Sequence, residues 1–223
     1  MTIIGITGHS GSGKSKFAKV LCESLCNSIL ICADDFMYES VKYHQQEFRQ
    51  VFGVTSFEGG EVENFRQAVV KAESHEWQKY LNIILPYLDS KIEKSLADAN
   101  MSVEYAVIEW FHLPFTTVWK HLDYRIIIAA SNQSIRHNRL LARMYRREQY
   151  RQYSLGDQLK SIKMKDDLSF MSFNDLKDCT VIENNYDESF QSEAVQLAQI
   201  ICKAQGSDPL VLERNKKICI RKY

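Results

Sequence analysis

Short apolar runs alternate with longer amphipathic segments along the 223-residue chain. The runs are rich in β-branched residues and stop at glycine or at acidic residues, which is typical of buried parallel strands. They predict five strands, at Thr2–Thr7, Ser28–Cys32, Val103–Ile108, Tyr124–Ala130 and Thr180–Ile182. Strands separated by helices predict an α/β fold with a parallel sheet.

The segments between the strands favour helices, either through an apolar stripe or through a polar, aromatic-rich composition. The predicted helices are Lys14–Cys26, 36–50, 61–73, 75–99, 132–150 and Asp187–Ala204. Residues 75–99 form either one long helix or two helices that meet near Pro86. The polar, glycine-containing stretch after residue 150 has no predicted element, and neither has the tail at 206–223.

Composition narrows the function classes. Lys plus Arg and Asp plus Glu both total 28, so the net charge gives no support to nucleic-acid binding. The six cysteines have no CxxC spacing, the histidines form no metal motif, and no apolar run could span a membrane. Without a signal-peptide pattern, we expect a cytoplasmic protein with neither nucleic-acid nor membrane partners, either monomeric or weakly homo-oligomeric.

A glycine-rich motif follows the first predicted strand. Gly8-His9-Ser10-Gly11-Ser12-Gly13-Lys14-Ser15 matches the phosphate-loop pattern GxxxxGK[ST] in full. Backbone N–H groups of such a loop bind phosphate oxygens, the lysine reaches the β- and γ-phosphates, and the hydroxyl holds Mg²⁺. The predicted ATP-binding residues are Gly8, Ser10, Gly11, Ser12, Gly13, Lys14, Ser15 and Lys16, with Ser15 also a Mg²⁺ ligand.

Features that the chain lacks argue against two other classes of nucleotide-binding enzyme. A GTPase needs a guanine-reading NKxD element, but the only Asn-Lys pair, at Asn215, continues Lys-Ile. Motor and transporter ATPases normally need more chain than 223 residues. The sequence therefore favours an ATP-dependent small-molecule kinase.

Two acidic positions sit at the ends of predicted strands, where ligands bind in such folds. Asp34 is the predicted catalytic base for the acceptor hydroxyl, with its neighbour Asp35 as the competitor. A turn with a helix cap is the alternative for this pair. Glu109 is predicted to hold Mg²⁺ directly or through water, and an exposed strand end is the alternative.

Arginines recur at helical spacing in the segment 132–150. Arg136, Arg139 and Arg143 share one face, and guanidinium groups suit phosphate oxygens because each can bond two of them. We predict that Arg139 and Arg143 belong to a lid at about 139–173 and act in catalysis. A solvated basic face is the alternative.

These residues give the chain a resemblance, over about residues 1–202, to dephospho-coenzyme A kinase and more loosely to uridine and nicotinamide riboside kinases. The loop GHSGSGKS is close to that family's form, and Cys32-Ala33-Asp34 stands where the family has Asp-Ala-Asp. LNIILP at 81–86 is similar to Leu-Asn-x-x-His-Pro. AVIEW matches the third strand, RLLAR at 139–143 the lid helix, and VIENN at 181–185 the turn near the adenine.

The acceptor side departs from that pattern. Cys32 replaces an aspartate, Leu85 replaces a histidine, and Phe111-His112-Leu113 stands in place of Pro-Leu-Leu. Asp34-Asp35-Phe36 and Val107-Ile108-Glu109 are more similar to elements of nicotinamide riboside and uridine kinases, although Trp110 occupies their glycine position.

The resemblance implies a P-loop kinase fold, a three-layer sandwich with a five-stranded parallel sheet in the order 2-3-1-4-5. It implies a kinase domain at 1–205, with an acceptor-binding helical region at about 36–100, and leaves 206–223 as a basic tail. The favoured reaction is phosphorylation of the ribose 3′-hydroxyl of dephospho-coenzyme A. The alternatives are a nucleoside or nicotinamide riboside kinase and a sensor that binds ATP without turnover.

Overall fold

The computed structural model describes residues 1–53, 68, 70–99, 102–146, 153–173, 176, 178–187, 189–206 and 221–222. Within these ranges five parallel strands form one sheet in the order β2-β3-β1-β4-β5. Their bounds are β1 Thr2–Gly8, β2 Ser28–Cys32, β3 Tyr105–Glu109, β4 Tyr124–Ala130 and β5 Thr180–Asn184. The five predicted strands and their order are confirmed.

A sixth strand, absent from the sequence prediction, comes from the chain's tail. It is β6, Arg221–Lys222, and it pairs antiparallel with β5 at Thr180 and Val181. A two-residue strand has too little pattern to be recognised from its sequence.

Seven α-helices are described, with two short 3₁₀-helices at Leu113–Phe115 and Val118–His121. The α-helices are α1 Lys14–Ser24, α2 Asp34–Tyr43, α3 Gln45–Phe52, α4 Ser74–Ala99, α5 Gln133–Arg146, α6 Leu155–Phe173 and α7 Ser189–Ala204. The single helix predicted at 36–50 is wrong, because His44 separates α2 from α3. The helix α4 continues through Pro86, which lies on its exposed side with Asn82, four residues earlier. Most of the helix predicted at 61–73 lies outside the described residues.

Helix α6 lies in the stretch predicted as a lid at about 139–173, although the sequence had given no bounds for a helix after residue 150. Its start is fixed by a reciprocal pair of bonds. The backbone N–H of Asp157 donates to Ser154 Oγ, and the N–H of Ser154 donates to Asp157 Oδ2, both over 3.1 Å. The spacing Ser-x-x-Asp was the available signal for this helix start.

The helices cover both faces of the sheet. Adjacent residues of a strand point to opposite faces, so Val107 packs with α1 and α7, while Ile108 packs with the cluster that contains α2, α3 and α4. Phe17 of α1 and Phe190 of α7 stack at 5.3 Å between ring centroids. Among the helices described, none combines the length and the apolarity that a membrane crossing requires.

Candidate active site

The glycine-rich loop, residues 8–15, leaves the carboxyl end of the central strand β1 and runs into the first turn of α1. Two of its glycines are required by space and by backbone conformation. A Cβ at Gly8 (φ +148°) would lie 2.3 Å from the carbonyl oxygen of Ile128, and one at Gly13 (φ +98°) would lie 2.5 Å from Asn184 Nδ2. Side chains are therefore excluded where the loop touches β4 and the end of β5.

Three successive carbonyl groups of the loop accept hydrogen bonds from side chains that lie at the end of β5 or follow β4 and β5 in the chain. Arg136 Nη1 donates to the oxygen of Ser10 over 2.9 Å, and Asn184 Nδ2 donates to that of Ser12 over 2.6 Å. Tyr186 Oη donates to that of Gly11 over 3.2 Å. The sequence had assigned none of these three anchoring roles. Asn184 is a polar residue at the end of a strand, and that is the same sequence feature by which Asp34 and Glu109 were recognised.

Lys14 and Glu109 form a buried ion pair at the start of α1 and the end of β3. Lys14 Nζ lies 3.4 Å from Glu109 Oε1, with side chains 9% and 3% exposed. The ammonium group also lies over the ring of Phe111, 5.9 Å from its centroid. Because the carboxylate is buried, the alternative of an exposed strand end is wrong for Glu109. A buried carboxylate needs such a countercharge.

Asp34 and Asp35 open helix α2 and are both exposed. The two residues lie in the first turn of this helix and not in extended backbone. In a helix they are about 100° apart, so both can approach the same ligand. Ala33 occupies the N-cap position, so neither aspartate is the N-cap residue. Both carboxylates instead lie at the N-terminus of α2, where the positive end of the helix dipole stabilises negative charge.

The acidic residues converge on Cys32, which pairs with Glu109 across β2 and β3. Burial first, and then the charges of Glu109, Asp35 and Asp34, raise the pKa of the Cys32 thiol to about 11. All three carboxylates therefore act electrostatically on one spot at the carboxyl edge of the sheet.

The arginines of α5 do not form the uniform row that the sequence predicted. Arg136 is buried and bonded to protein groups, whereas Arg139 and Arg143 are exposed. The Arg139 guanidinium stacks over the ring of Tyr186, 4.4 Å from its centroid. Of these three arginines, Arg139 and Arg143 are therefore the two that an anionic ligand can reach.

Comparison with known proteins identifies the family. The family model for dephospho-CoA kinase matches residues 2–167, which include the glycine-rich loop, Asp34, Glu109 and helix α5. The chain belongs to the dephospho-CoA kinase family. It is an ATP-dependent small-molecule kinase with a P-loop kinase fold.

Several solved structures are similar to this chain. TT1252 from Thermus thermophilus is 18% identical, with a TM-score of 0.59 over 90% of this chain and 96% of that one, and it shares the fold. Dephospho-CoA kinase from Campylobacter jejuni (17% identity, TM-score 0.46, 91% and 98% covered) also matches. So does shikimate kinase from Bacteroides thetaiotaomicron (13%, 0.47, 91% and 98%). No curated protein sequence matches the chain at a significant level.

The residues of this kinase fit ATP and Mg²⁺. Two buried oxygens beside the loop, Ser12 Oγ and Glu109 Oε1, make no hydrogen bond to the described residues. Ser15 is exposed on the first turn of α1. Within the described ranges no three His, Cys, Asp or Glu residues cluster as a metal site. Mg²⁺ usually keeps several waters and binds substrate phosphates with one or two protein ligands, so a hydroxyl and one carboxylate would suffice to hold it.

The sequence treated His112 only as a departure from the family, but the kinase places it beside the site. Trp77 Nε1 donates to His112 Nε2 over 3.0 Å, so the ring hydrogen of the neutral imidazole is on Nδ1. Burial, and then the charge of Lys14, lower the pKa of His112 to about 3. The imidazole is therefore neutral near neutral pH. Its ring lies 4.3 Å from that of Phe111, between centroids.

Proposed function

We propose that this kinase transfers the γ-phosphoryl group of ATP to the ribose 3′-hydroxyl of dephospho-coenzyme A. The family match over residues 2–167 carries the proposal. It spans the loop, the carboxylate-bearing strand ends and the arginine-bearing helix α5. The anchored loop and the Lys14–Glu109 pair supply the nucleotide side of that chemistry.

On the nucleotide side, backbone N–H groups of residues 8–16 bind the phosphates in this proposal, and Lys14 neutralises the β- and γ-phosphates. Ser15 and Glu109 would hold Mg²⁺, which would supply further charge neutralisation. The Lys14 ammonium has a carboxylate partner, Glu109, at 3.4 Å. In this proposal the phosphates would replace Glu109 as the anionic partner of Lys14, which would leave the carboxylate available to the metal ion.

On the acceptor side, Asp34 takes the proton of the attacking hydroxyl as its oxygen bonds to the γ-phosphorus, while the bond from that phosphorus to the bridging oxygen of ADP breaks and ADP leaves. Its exposure at the start of α2 leaves it accessible to an acceptor bound over the carboxyl edge of the sheet. Arg139 and Arg143 face the charge that develops on the transferred group. Alignment and charge neutralisation, rather than covalent catalysis, do most of the work in phosphoryl transfer.

A nucleoside or nicotinamide riboside acceptor is the second candidate. The observation that favours it is the local chemistry of the acceptor edge. A neutral thiol, Cys32, stands where the family has an aspartate, and buried Phe111 and His112 stand where it has proline and leucine. At these positions the chain departs from the pattern of the dephospho-CoA kinase family that it resembles.

One screen separates the candidates. ADP production is measured with MgATP and each of dephospho-coenzyme A, uridine, cytidine and nicotinamide riboside. We expect dephospho-coenzyme A to give the highest kcat/KM, and phosphorus NMR of its product to show a 3′-phosphate. Selective turnover of a nucleoside would replace the proposal by the second candidate. Binding of ATP with no turnover of any acceptor would favour a sensor.

Location and assembly stay predictions. We infer a cytoplasmic kinase that is monomeric or weakly homo-oligomeric, and sedimentation of the purified chain tests the second statement. The division into a domain at 1–205, with an acceptor region at about 36–100 and a lid at about 139–173, is likewise part of the proposal.

A further inference from the structure

Arg136 is an unusual member of the arginine set on α5, because its guanidinium is buried. The residue is 1% exposed. A buried charge is costly unless it is paired and hydrogen-bonded. Its neutralising partner is Asp166 of α6, whose Oδ2 accepts from Nη2 over 2.7 Å.

The remaining donors of Arg136 are also used within the protein. Nε donates to Gln133 Oε1 over 2.6 Å, and Nη1 donates to the carbonyl oxygen of Ser10 in the glycine-rich loop over 2.9 Å. The guanidinium thus joins three places: its own helix, helix α6 and the loop.

The bond to the Ser10 carbonyl also constrains the N–H group of the same peptide unit. A peptide unit is planar, and its carbonyl and N–H point to opposite edges. Holding the Ser10 oxygen therefore sets the direction of the Gly11 N–H, one of the groups assigned to phosphate. A cationic donor also polarises that peptide, which makes the N–H a better donor to an anion.

Asp166 keeps Arg136 in this position. Burial alone would raise the pKa of the Asp166 carboxyl, but hydrogen bonds from Arg136 and His137 outweigh it and lower that pKa. His137 Nε2 lies 2.8 Å from the same carboxylate oxygen. The carboxylate is therefore ionised at neutral pH, as the pair with Arg136 requires.

We propose that Arg136 is a positioning residue for ATP, held by Asp166, which fixes the phosphate-binding peptides of the glycine-rich loop instead of contacting phosphate itself. This proposal rests on the proposed nucleotide role of the loop but not on the identity of the acceptor. It links Asp166 of helix α6, 156 residues after Ser10 in the sequence, to the affinity for ATP.

The test is a double-mutant cycle on the full-length kinase, with Arg136→Gln, Asp166→Asn and the double variant. Binding of MgATP is measured by calorimetry without any acceptor, well below the melting temperature of each variant. We expect each single variant to weaken ATP binding about tenfold. The double variant should lose little more than either single one, since both remove the same constraint.

Asp167→Asn is the matched control, because Asp167 is adjacent on α6 and pairs only with surface Lys163 among the contacts described, at 3.4 Å. It should bind ATP like the parent. In steady-state assays with a working acceptor, Arg136→Gln and Asp166→Asn should raise the KM for ATP and leave the KM for the acceptor unchanged.

Two results would overturn the proposal. Losses that multiply in the double variant would mean that Asp166 does not act through Arg136. Unchanged ATP binding by folded Asp166→Asn, even with a lower melting temperature, would reduce the pair to a structural contact. If Arg136→Gln does not fold, the comparison of MgATP binding by Asp166→Asn and Asp167→Asn still tests the proposal. Failure of the acceptor assignment alone would leave the calorimetry unaffected.

Discussion

The nucleotide half and the acceptor half of the site differ in how firmly the protein holds them. On the nucleotide side, carbonyl groups of the loop are bonded to Arg136, Tyr186 and Asn184, and Lys14 is paired with a buried carboxylate. On the acceptor side, Asp34 and Asp35 are exposed at the first turn of a helix.

The difference follows from what each half must recognise. A triphosphate presents the same oxygens to every kinase, so the backbone that binds them must be held in one shape. An acceptor varies between enzymes, and side chains at strand ends can change without disturbing the sheet. Cys32 and His112 are such changes. The nucleotide half therefore identifies the chemistry, and the acceptor half decides the substrate.

The largest effect should come from the proposed base. Asp34→Asn keeps the shape and removes the proton acceptor, so kcat should fall by ~10²–10⁴ with ATP affinity little changed. Asp35→Asn is the matched variant, and should cost only ~0.3–1 kcal/mol of stability by weakening the charge opposite the α2 dipole. The measurement is kcat of both with a working acceptor. Loss of turnover in Asp35→Asn alone would identify the other carboxylate as the base.

Lys14→Ala should lower kcat/KM for ATP by ~10²–10³, because it removes a positive group that faces developing charge. The substitution should also affect folding, because Lys14 is the partner of the buried Glu109 carboxylate. Unpaired Glu109 should destabilise the fold by about 3–5 kcal/mol. The double variant Lys14→Ala, Glu109→Gln removes both charges, so it should recover stability in urea titrations without recovering ATP turnover. Parent-like kinetics in either variant would refute the assigned role.

The sequence could predict the five parallel strands and the chemistry at Gly8, Asp34 and Glu109, because strand pattern and the phosphate-loop motif are local in the chain. It could not predict that Arg136 turns away from the site to Asp166, or that Tyr186 and Asn184 hold the loop. Those contacts join segments more than 25 residues apart, and they depend on how helices pack on the sheet. Helical periodicity places Arg136, Arg139 and Arg143 on one face and does not show which of them is buried.

The exposed arginines test whether α5 serves the nucleotide half in the ground state or in the transition state. Replacing Arg139 and Arg143 with Ala should lower kcat by about 10²-fold and ATP affinity much less, since they meet charge that develops during transfer. Because Arg139 stacks on Tyr186, the comparison of Tyr186→Leu with Tyr186→Phe, which keeps the ring but lacks the hydroxyl that bonds Gly11, isolates the loss of that stack. An equal loss in affinity and kcat/KM with kcat unchanged would indicate ground-state binding only.

The smallest effect concerns stability on the acceptor side, where His112 is neutral and buried. Its pKa is lowered from 6.5 to about 3 in the folded state, so the unfolded chain binds a proton more readily below pH 6.5. Stability is therefore lost as the pH falls from about 6.5 toward 3, by roughly 2 kcal/mol between pH 7 and 5 for this group. His9, whose pKa burial and then Arg136 lower to about 4, adds to the same trend.

His112→Gln should isolate that contribution, because an amide oxygen can still accept from Trp77 Nε1 but does not titrate. Urea titrations at pH 7, 6 and 5 should show a shallower loss for this variant than for the parent. His121→Gln, at an exposed histidine, is the control and should keep the slope of the parent. If His112→Gln also keeps that slope, the acid sensitivity arises elsewhere, and His112 is not held neutral by its surroundings as the structure implies.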